Sequence, residues 1–195
     1  ETDRGKIILN LHDQIQLYVP FNEQEETDKD IMLRAMVTLS DVLTRNNEVL
    51  HFTASAFVFN PARTHVLMVY HNIYNSWGWT GGHADGDPNL FNVAKKELME
   101  EAGLTEVKPI QKEMISLDIL PVIGHMKNGK YVAAHLHFNA TYVFEVADDA
   151  SLKSKPDENS AVGWIAIDEV AQKCSEQHMI PIYEKIIEKV KKIES

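Results

Sequence analysis

The spacing of apolar positions changes along the chain. Ile31, Ala35, Met36, Leu39, Val42 and Leu43 recur at helical intervals behind the acidic stretch Glu23–Asp30, and Asn46-Asn47 breaks the pattern. This predicts a helical N-terminal extension over residues 1–50 and a second, larger domain over 51–195. From Thr53 the texture becomes that of strands. Ala54–Asn60 and His65–His71 are short, apolar and rich in β-branched or aromatic residues, with Pro61-Ala62-Arg63 as the turn between them. Trp77–Thr80 reads as a third short strand ended by Gly81-Gly82, and His83–Asp87 as a loop. A helix follows, with Asp87 suited to cap it, Pro88 suited to its first position and Gly103 suited to stop it. Val107–Val122 looks extended, and Asn128-Gly129 is a hairpin turn signal. Tyr131–Val146 alternates as a long strand does, with Leu136, Phe138, Ala140 and Tyr142 on one face and His135, His137, Asn139 and Thr141 on the other. Val162–Ile167 is a further strand, and a last helix runs from about Pro181 to the C-terminus. Strands mixed with two or three helices predict an α/β sandwich around one mixed sheet.

Composition narrows the function classes without naming one. The chain has 195 residues, is 44% hydrophobic and 25% charged, and can build a core of useful size. Its 29 acidic residues against 19 Lys and Arg give a formal charge of -10. That argues against a long nucleic-acid partner or an anionic membrane surface, both of which need clustered basic side chains. It leaves a small phosphorylated substrate open, because a bound cation can reverse the local field. The one cysteine, Cys174, excludes an intrachain disulfide and reads as an incidental thiol. No apolar run approaches the ~20 residues of a membrane span, and Glu1–Lys6 lacks the apolar stretch of a signal peptide. A cytoplasmic protein is the expectation.

The segment from Gly82 to Leu104 carries the chemistry. Glu97, Glu100 and Glu101 stand at i, i+3 and i+4, so at about 100° per residue they fall in one arc of the helix. Lys96 is the one cation a turn away, within reach of Glu100. Val93, Ala94 and Leu98 lie beside the arc, so the carboxylates border the apolar stripe. Two readings stay open from the helix alone. One is a solvated acidic face; the other is a hard-oxygen site for Mg²⁺ or Mn²⁺. Gly81-Gly82 before the helix lets backbone approach a phosphate closely.

The same segment resembles the signature box of the Nudix hydrolase family. Gly82, Glu97, Leu98, Glu100, Glu101, Gly103 and Leu104 match seven of the nine fixed positions of that pattern. Pro88 stands where the pattern has Glu, and Lys96 where it has Arg. The resemblance covers roughly residues 53–195 and implies a Nudix-like α/β/α sandwich. It implies a metal-dependent pyrophosphohydrolase that cleaves a diphosphate linkage in a nucleoside diphosphate derivative. Glu97, Glu100 and Glu101 would bind Mg²⁺ or Mn²⁺, and Glu97 or Glu158 would serve as general base. In place of the family's Glu–Arg contact, Asp87 and Lys96 are expected to form a weaker loop brace. A homodimer is common for this fold. Two other functions compete: a catalytically silent nucleotide-binding module, and an isoprenoid diphosphate isomerase. The isomerase is associated with an active-site Cys near the glycine loop, and none stands between Thr53 and Leu104.

Further candidates are weighed against plainer roles. Lys155–Ser160 is a turn-forming stretch before a strand, and Glu158 within it can face substrate. His135 and His137 share a strand face and, with Gly81, Gly82 and His83, can contact phosphate or base; a polar sheet face is the plainer account of the two histidines. Two histidines alone make weak zinc evidence. Trp77, Trp79, Tyr70 and Tyr74 can stack a base or pack in the core.

Overall fold

The computed structural model describes residues 3–127 and 129–193. Its helices are α1 (Asp3–Leu17), α2 (Glu23–Thr38), α3 (Leu90–Ala102), α4 (Val170–Lys173) and α5 (Ile180–Ile193). Its strands are β1 (Leu50–Phe59), β2 (His65–His71), β3 (Ser76–Gly78), β4 (Thr80–His83), β5 (Lys108–Pro109), β6 (Ser116–Val122), β7 (His125–Lys127), β8 (Lys130–Val132), β9 (His135–Glu145) and β10 (Asn159–Ala166). Among the described residues, an eight-stranded sheet runs β10-β2-β1-β9-β5, with β3 paired to β2, β4 to β1 and β6 to β9, and β7-β8 form a separate ribbon. The expected α/β fold is the one found.

Local chemistry explains where the elements start and stop. Asn22 caps α2, accepting from Glu25 N at 2.9 Å, and Glu23, Glu25 and Glu26 complement the dipole of its first turn. The acidic stretch therefore lies inside the helix instead of preceding it. The helix ends at Thr38, before Val42 and Leu43, which are buried in the turns that follow. A separate α1, which the apolar spacing did not announce, buries Leu11 and Ile15. The third expected strand is two strands, and Gly81 and Gly82 lie within β4 instead of ending it. Helix α3 starts later than expected. Asn89 is its cap, accepting from Asn92 N at 3.1 Å, while the Asp87 carboxylate folds the preceding turn by accepting from Asn89 N at 2.8 Å. Gly103 does stop the helix, at φ 68°, with Leu104 N closing back on Met99 O at 3.0 Å. In the ribbon Lys127 faces Lys130; of the predicted turn pair, Asn128 lies outside the described residues.

The chain divides into two compact units. The first comprises Glu1–Ala54, Gly82–Val93 and Ser116–Ala140. Its interior holds Phe52 and Phe138 edge to face at 5.4 Å, and a buried Thr53–Asn139 hydrogen bond of 2.9 Å. Its α2 is tied to β6 by two buried carboxylates. Glu25 accepts from Tyr18 Oη, Phe21 N, Ser116 Oγ and Leu117 N, and Asp28 accepts from Ile119 N at 2.9 Å. The second unit comprises Ser55–Gly81, Ala94–Ile115 and Thr141–Ser195. Its β10 runs antiparallel to β2, with Val162 opposite Val69 and Trp164 opposite Leu67. The Tyr183 ring of α5 stacks on Phe57 at 5.5 Å and meets Trp79 edge-on at 5.3 Å, and its hydroxyl accepts from Trp79 N at 3.3 Å. Trp79 is thereby a core residue, while Tyr70 and Trp77 pair edge to face at 5.7 Å. Cys174 is buried beside Ser76 Oγ at 3.7 Å. No helix among the described residues is long and apolar enough to cross a membrane.

Candidate active site

In the second unit, α3 and the turn before β10 bring four carboxylates into one electrostatic group. Leu98 and Ala102 of α3 are fully buried, and Glu101 lies on that buried side at 2% exposure. Glu97 is half-buried and Glu100 exposed. The turn is shaped by Asn159, which is fully buried. Its amide oxygen accepts from Lys155 N at 3.0 Å, and its amide nitrogen donates to Glu101 O at 3.3 Å. One side chain thus folds the turn and ties it to the helix. Glu158 is presented beside the helix as a result. Lys155 Nζ lies 3.1 Å from Glu158 Oε1 and 4.0 Å from Glu100 Oε2. Glu97, Glu100, Glu101 and Glu158, named from the sequence, are therefore brought together.

The energetics of this group are those of a site lacking positive charge. Burial first, and then the fields of Glu158 and Glu97, push the Glu101 carboxyl up to about 8; a hydrogen bond from Gly81 N at 2.9 Å pulls the other way. Glu97 is also raised, by burial and by Glu100. The two cations at hand are Lys155 and Lys96, whose Nζ is 3.8 Å from Glu100 Oε1. Lysine contacts at such distances to part-exposed carboxylates are weak. A buried carboxylate among like charges ionises readily only next to a stronger cation, and four hard oxygen donors suit Mg²⁺ or Mn²⁺. In donor chemistry, carboxylate oxygens without nitrogen or sulfur, the group is of the kind such an ion takes.

The brace expected between Asp87 and Lys96 does not form. Lys96 reaches forward along α3 to Glu100, one turn away, and the Asp87 carboxylate is engaged by Asn89 N. In the first unit another pair anchors the loop after the glycines. Arg45 donates from Nε and Nη2 to the two Asp85 oxygens, both at 2.8 Å, a fork-to-fork contact. Asp85 sits at φ 47° and Gly86 at φ 93°, and Gly86 N donates to Leu43 O at 2.8 Å. No local pattern flagged Arg45, which is 40 residues distant in sequence.

The three histidines named from the sequence, His83, His135 and His137, gather in the first unit with a fourth, His51 at the start of β1. Burial pushes His137 down to about 2 and His83 down to about 4, and lowers His51. These three rings are uncharged at neutral pH. His51 was not singled out from the sequence; a lone histidine at a strand start carries no signal of its own.

The comparisons with known proteins agree with the box. A family profile described as NUDIX domain matches residues 49–186, well over half of the chain. The chain belongs to the NUDIX family. The reading as a Nudix-type pyrophosphohydrolase stands with it. Solved structures share the fold at low identity. A C. elegans Ap4A hydrolase in a binary complex superposes with TM-score 0.53 at 13% identity, over 73% of this chain and 96% of that one. The E. coli dihydroneopterin triphosphate pyrophosphohydrolase gives 0.52 at 12%, over 70% and 94%. The NUDIX domain of Shewanella oneidensis NrtR, complexed with ADP ribose, gives 0.52 at 14%, over 80% and 97%. No curated protein sequence matches the chain.

Proposed function

We propose that this NUDIX protein hydrolyses the diphosphate linkage of a nucleoside diphosphate derivative, using Mg²⁺ or Mn²⁺ held by Glu97, Glu100 and Glu101. The observation that carries the reading is Glu101, a buried carboxylate pushed up to about 8 with Glu97 and Glu158 around it and a single backbone donor from Gly81. A buried acid in such surroundings is a liability to the fold and a natural ligand for a divalent cation. When bound, the ion neutralises diphosphate oxygens and makes water a better nucleophile.

The chain's own groups divide the remaining work. Glu101 is aimed by Gly81 N and by the burial of its helix face. Glu97 and Glu158 are the candidate general bases; burial and the field of Glu100 raise Glu97 above the ordinary carboxylate value, which makes it a stronger base than a free carboxylate. Lys155 balances Glu158 and Glu100 and orients them. Gly81 and Gly82 keep the β4 backbone open to a phosphate, whereas His83, His135 and His137, named with them from the sequence, are engaged with one another and with His51 in the first unit. Residues 51–195 form the catalytic domain in this reading, with 1–50 as a helical extension, and the protein works in the cytoplasm on a small-molecule substrate. That solved structures of this fold are named for Ap4A, dihydroneopterin triphosphate and ADP ribose supports a nucleotide-like substrate class.

The test is product release from a panel of nucleoside triphosphates, dinucleoside polyphosphates and nucleotide sugars with Mg²⁺ or Mn²⁺, comparing native protein with Glu101→Gln. Cleavage of some member by native protein, and its loss in the variant, supports the reading and names the substrate. Binding without cleavage by native protein replaces it with a silent nucleotide-binding module.

A further inference from the structure

The histidines of the first unit carry an inference independent of the hydrolase reading. We propose that His51, His83, His135 and His137 form a four-coordinate zinc site that clasps β1, β4 and β9.

The ligand nitrogens of the four rings all lie within 4.8 Å of one another. Five of the six ring pairs have centroids 4.9 to 5.1 Å apart. That near-equality decides the geometry. Four points at the corners of a square have four short separations and two long diagonals, so five near-equal separations exclude a square, and the 4.8 Å bound on all the ligand nitrogens keeps the set compact. The planes are also turned against one another, by 31° to 88°. Tetragonal copper and nickel sites need the square, and Zn²⁺ the tetrahedron. At Zn–N distances of 2.0–2.1 Å, tetrahedral ligand nitrogens stand ~3.4 Å apart. His135 Nε2 and His137 Nε2 are already 3.1 Å apart, so closing the set asks for side-chain shifts of about an ångström in the other rings.

The second ring nitrogens support the same assignment. His51 Nδ1 lies 3.0 Å from Asn47 O and His135 Nδ1 lies 2.8 Å from Ala133 O. A carbonyl only accepts, so both rings carry their proton on Nδ1 and direct a bare Nε2 lone pair inward. Carbonyl partners that fix the tautomer in this way are what zinc-ligating histidines use. His51 Nε2 is buried and has no hydrogen-bond partner, and the residue is 4% exposed. An orphaned acceptor in a buried ring has a desolvation cost that a metal bond would remove. An anion is a poor occupant, because uncharged imidazoles that offer lone pairs repel it. Four protein ligands close the coordination sphere, so the zinc would be structural.

The experiment uses the full-length, tag-free protein, stripped of metal and titrated with Zn²⁺ or Co²⁺ alone. Expected are one tightly bound equivalent and, with Co²⁺, the strong visible absorption of tetrahedral coordination. His51→Gln and His135→Gln should each weaken binding by at least 100-fold and remove that absorption, with far-UV circular dichroism showing that at least one of the two is folded. Glu101→Gln should bind Zn²⁺ as native protein does. No tight equivalent in native protein overturns the proposal. So does an unchanged Co²⁺ spectrum in a folded histidine variant, or loss of the site in Glu101→Gln, which would move the metal to the carboxylates. Failure of the hydrolase reading leaves each of these readouts unaffected.

Discussion

Glu25 and Glu101 are both helical carboxylates buried almost completely, at 0% and 2% exposure, and their surroundings differ in kind. Glu25, in the first unit, accepts from a tyrosine hydroxyl and two backbone amides, and shares the single proton of the Ser116 hydroxyl with Asp118, the two carboxylates lying 3.0 Å and 2.6 Å from that oxygen. Glu101, in the second, accepts from one backbone amide, and its charged neighbours include Glu97 and Glu158. A carboxylate satisfied by hydrogen bonds holds a fold together; one left short of them costs stability and awaits a cation. Burial by itself does not separate a structural acid from a functional one. The donor inventory does.

Substitution tests that contrast most sharply at Glu101. Glu101→Gln keeps the volume and the acceptor for Gly81 N, and it should lower turnover by ~10³-fold or more if the side chain is a metal ligand. Near-normal turnover in the panel assay would return Glu101 to the structural class of Glu25. The mirror experiment is Glu25→Ala, which takes the acceptor from the buried Leu117 amide and from the part-buried Phe21 amide and Tyr18 hydroxyl. It should cost about 3–5 kcal/mol in denaturant unfolding, by analogy with breaking other buried charged networks. A loss under 1 kcal/mol would mean that water replaces the carboxylate and that the four donors matter little.

Dependence on pH separates the two acids further. The folded-state pKa of Glu101 is raised above its unfolded value, so the unfolded chain loses its proton first as pH rises. Metal-free native protein should therefore lose stability between about pH 4.5 and 8, by an amount on the order of 3–5 kcal/mol, and level off above the folded pKa. Glu101→Gln should flatten that decline and be the more stable protein at pH 8, as read by thermal unfolding in chelator. Mg²⁺ should raise the melting temperature of native protein and leave the variant unmoved. A native protein whose metal-free stability is level across this range would contradict the burial argument.

Smaller effects probe the supports around each region. Gly103→Ala places a Cβ 2.7 Å from Lys153 Cβ at φ 68°, and should destabilise by ~1–2 kcal/mol in urea. Arg45→Lys removes the fork on Asp85 from a contact whose side chains are about half exposed. It should cost no more than ~1 kcal/mol, with its effect confined to the loop after the glycines.

Much of the fold and the four carboxylates of the candidate site were legible in local sequence. Strands β2 and β10 read out from apolar, β-branched runs, and Gly103 from its place after a periodic segment. The box residues Glu97, Glu100 and Glu101 read out because a helix converts fixed spacing into a shared face, a local law that needs no tertiary information. Helix boundaries were less legible where two polar residues compete to cap. Asp87 and Asn89 are both good caps, and only the backbone path through Gly86 assigns one to the turn and the other to the helix.

What the sequence by itself determined is the family, the α/β class and the three carboxylates on α3, all encoded in spacing along single elements. Tertiary structure alone decided which acids are satisfied and which are exposed to like charge. It also replaced an expected Asp87–Lys96 brace with Arg45–Asp85, and gathered His51 with His83, His135 and His137. Apart from His135 and His137, which share a strand face, those pairings join residues distant along the chain, 40 positions for Arg45 and Asp85 and 86 for His51 and His137. Such contacts exist only once strands have paired, so no period or motif in the sequence can announce them.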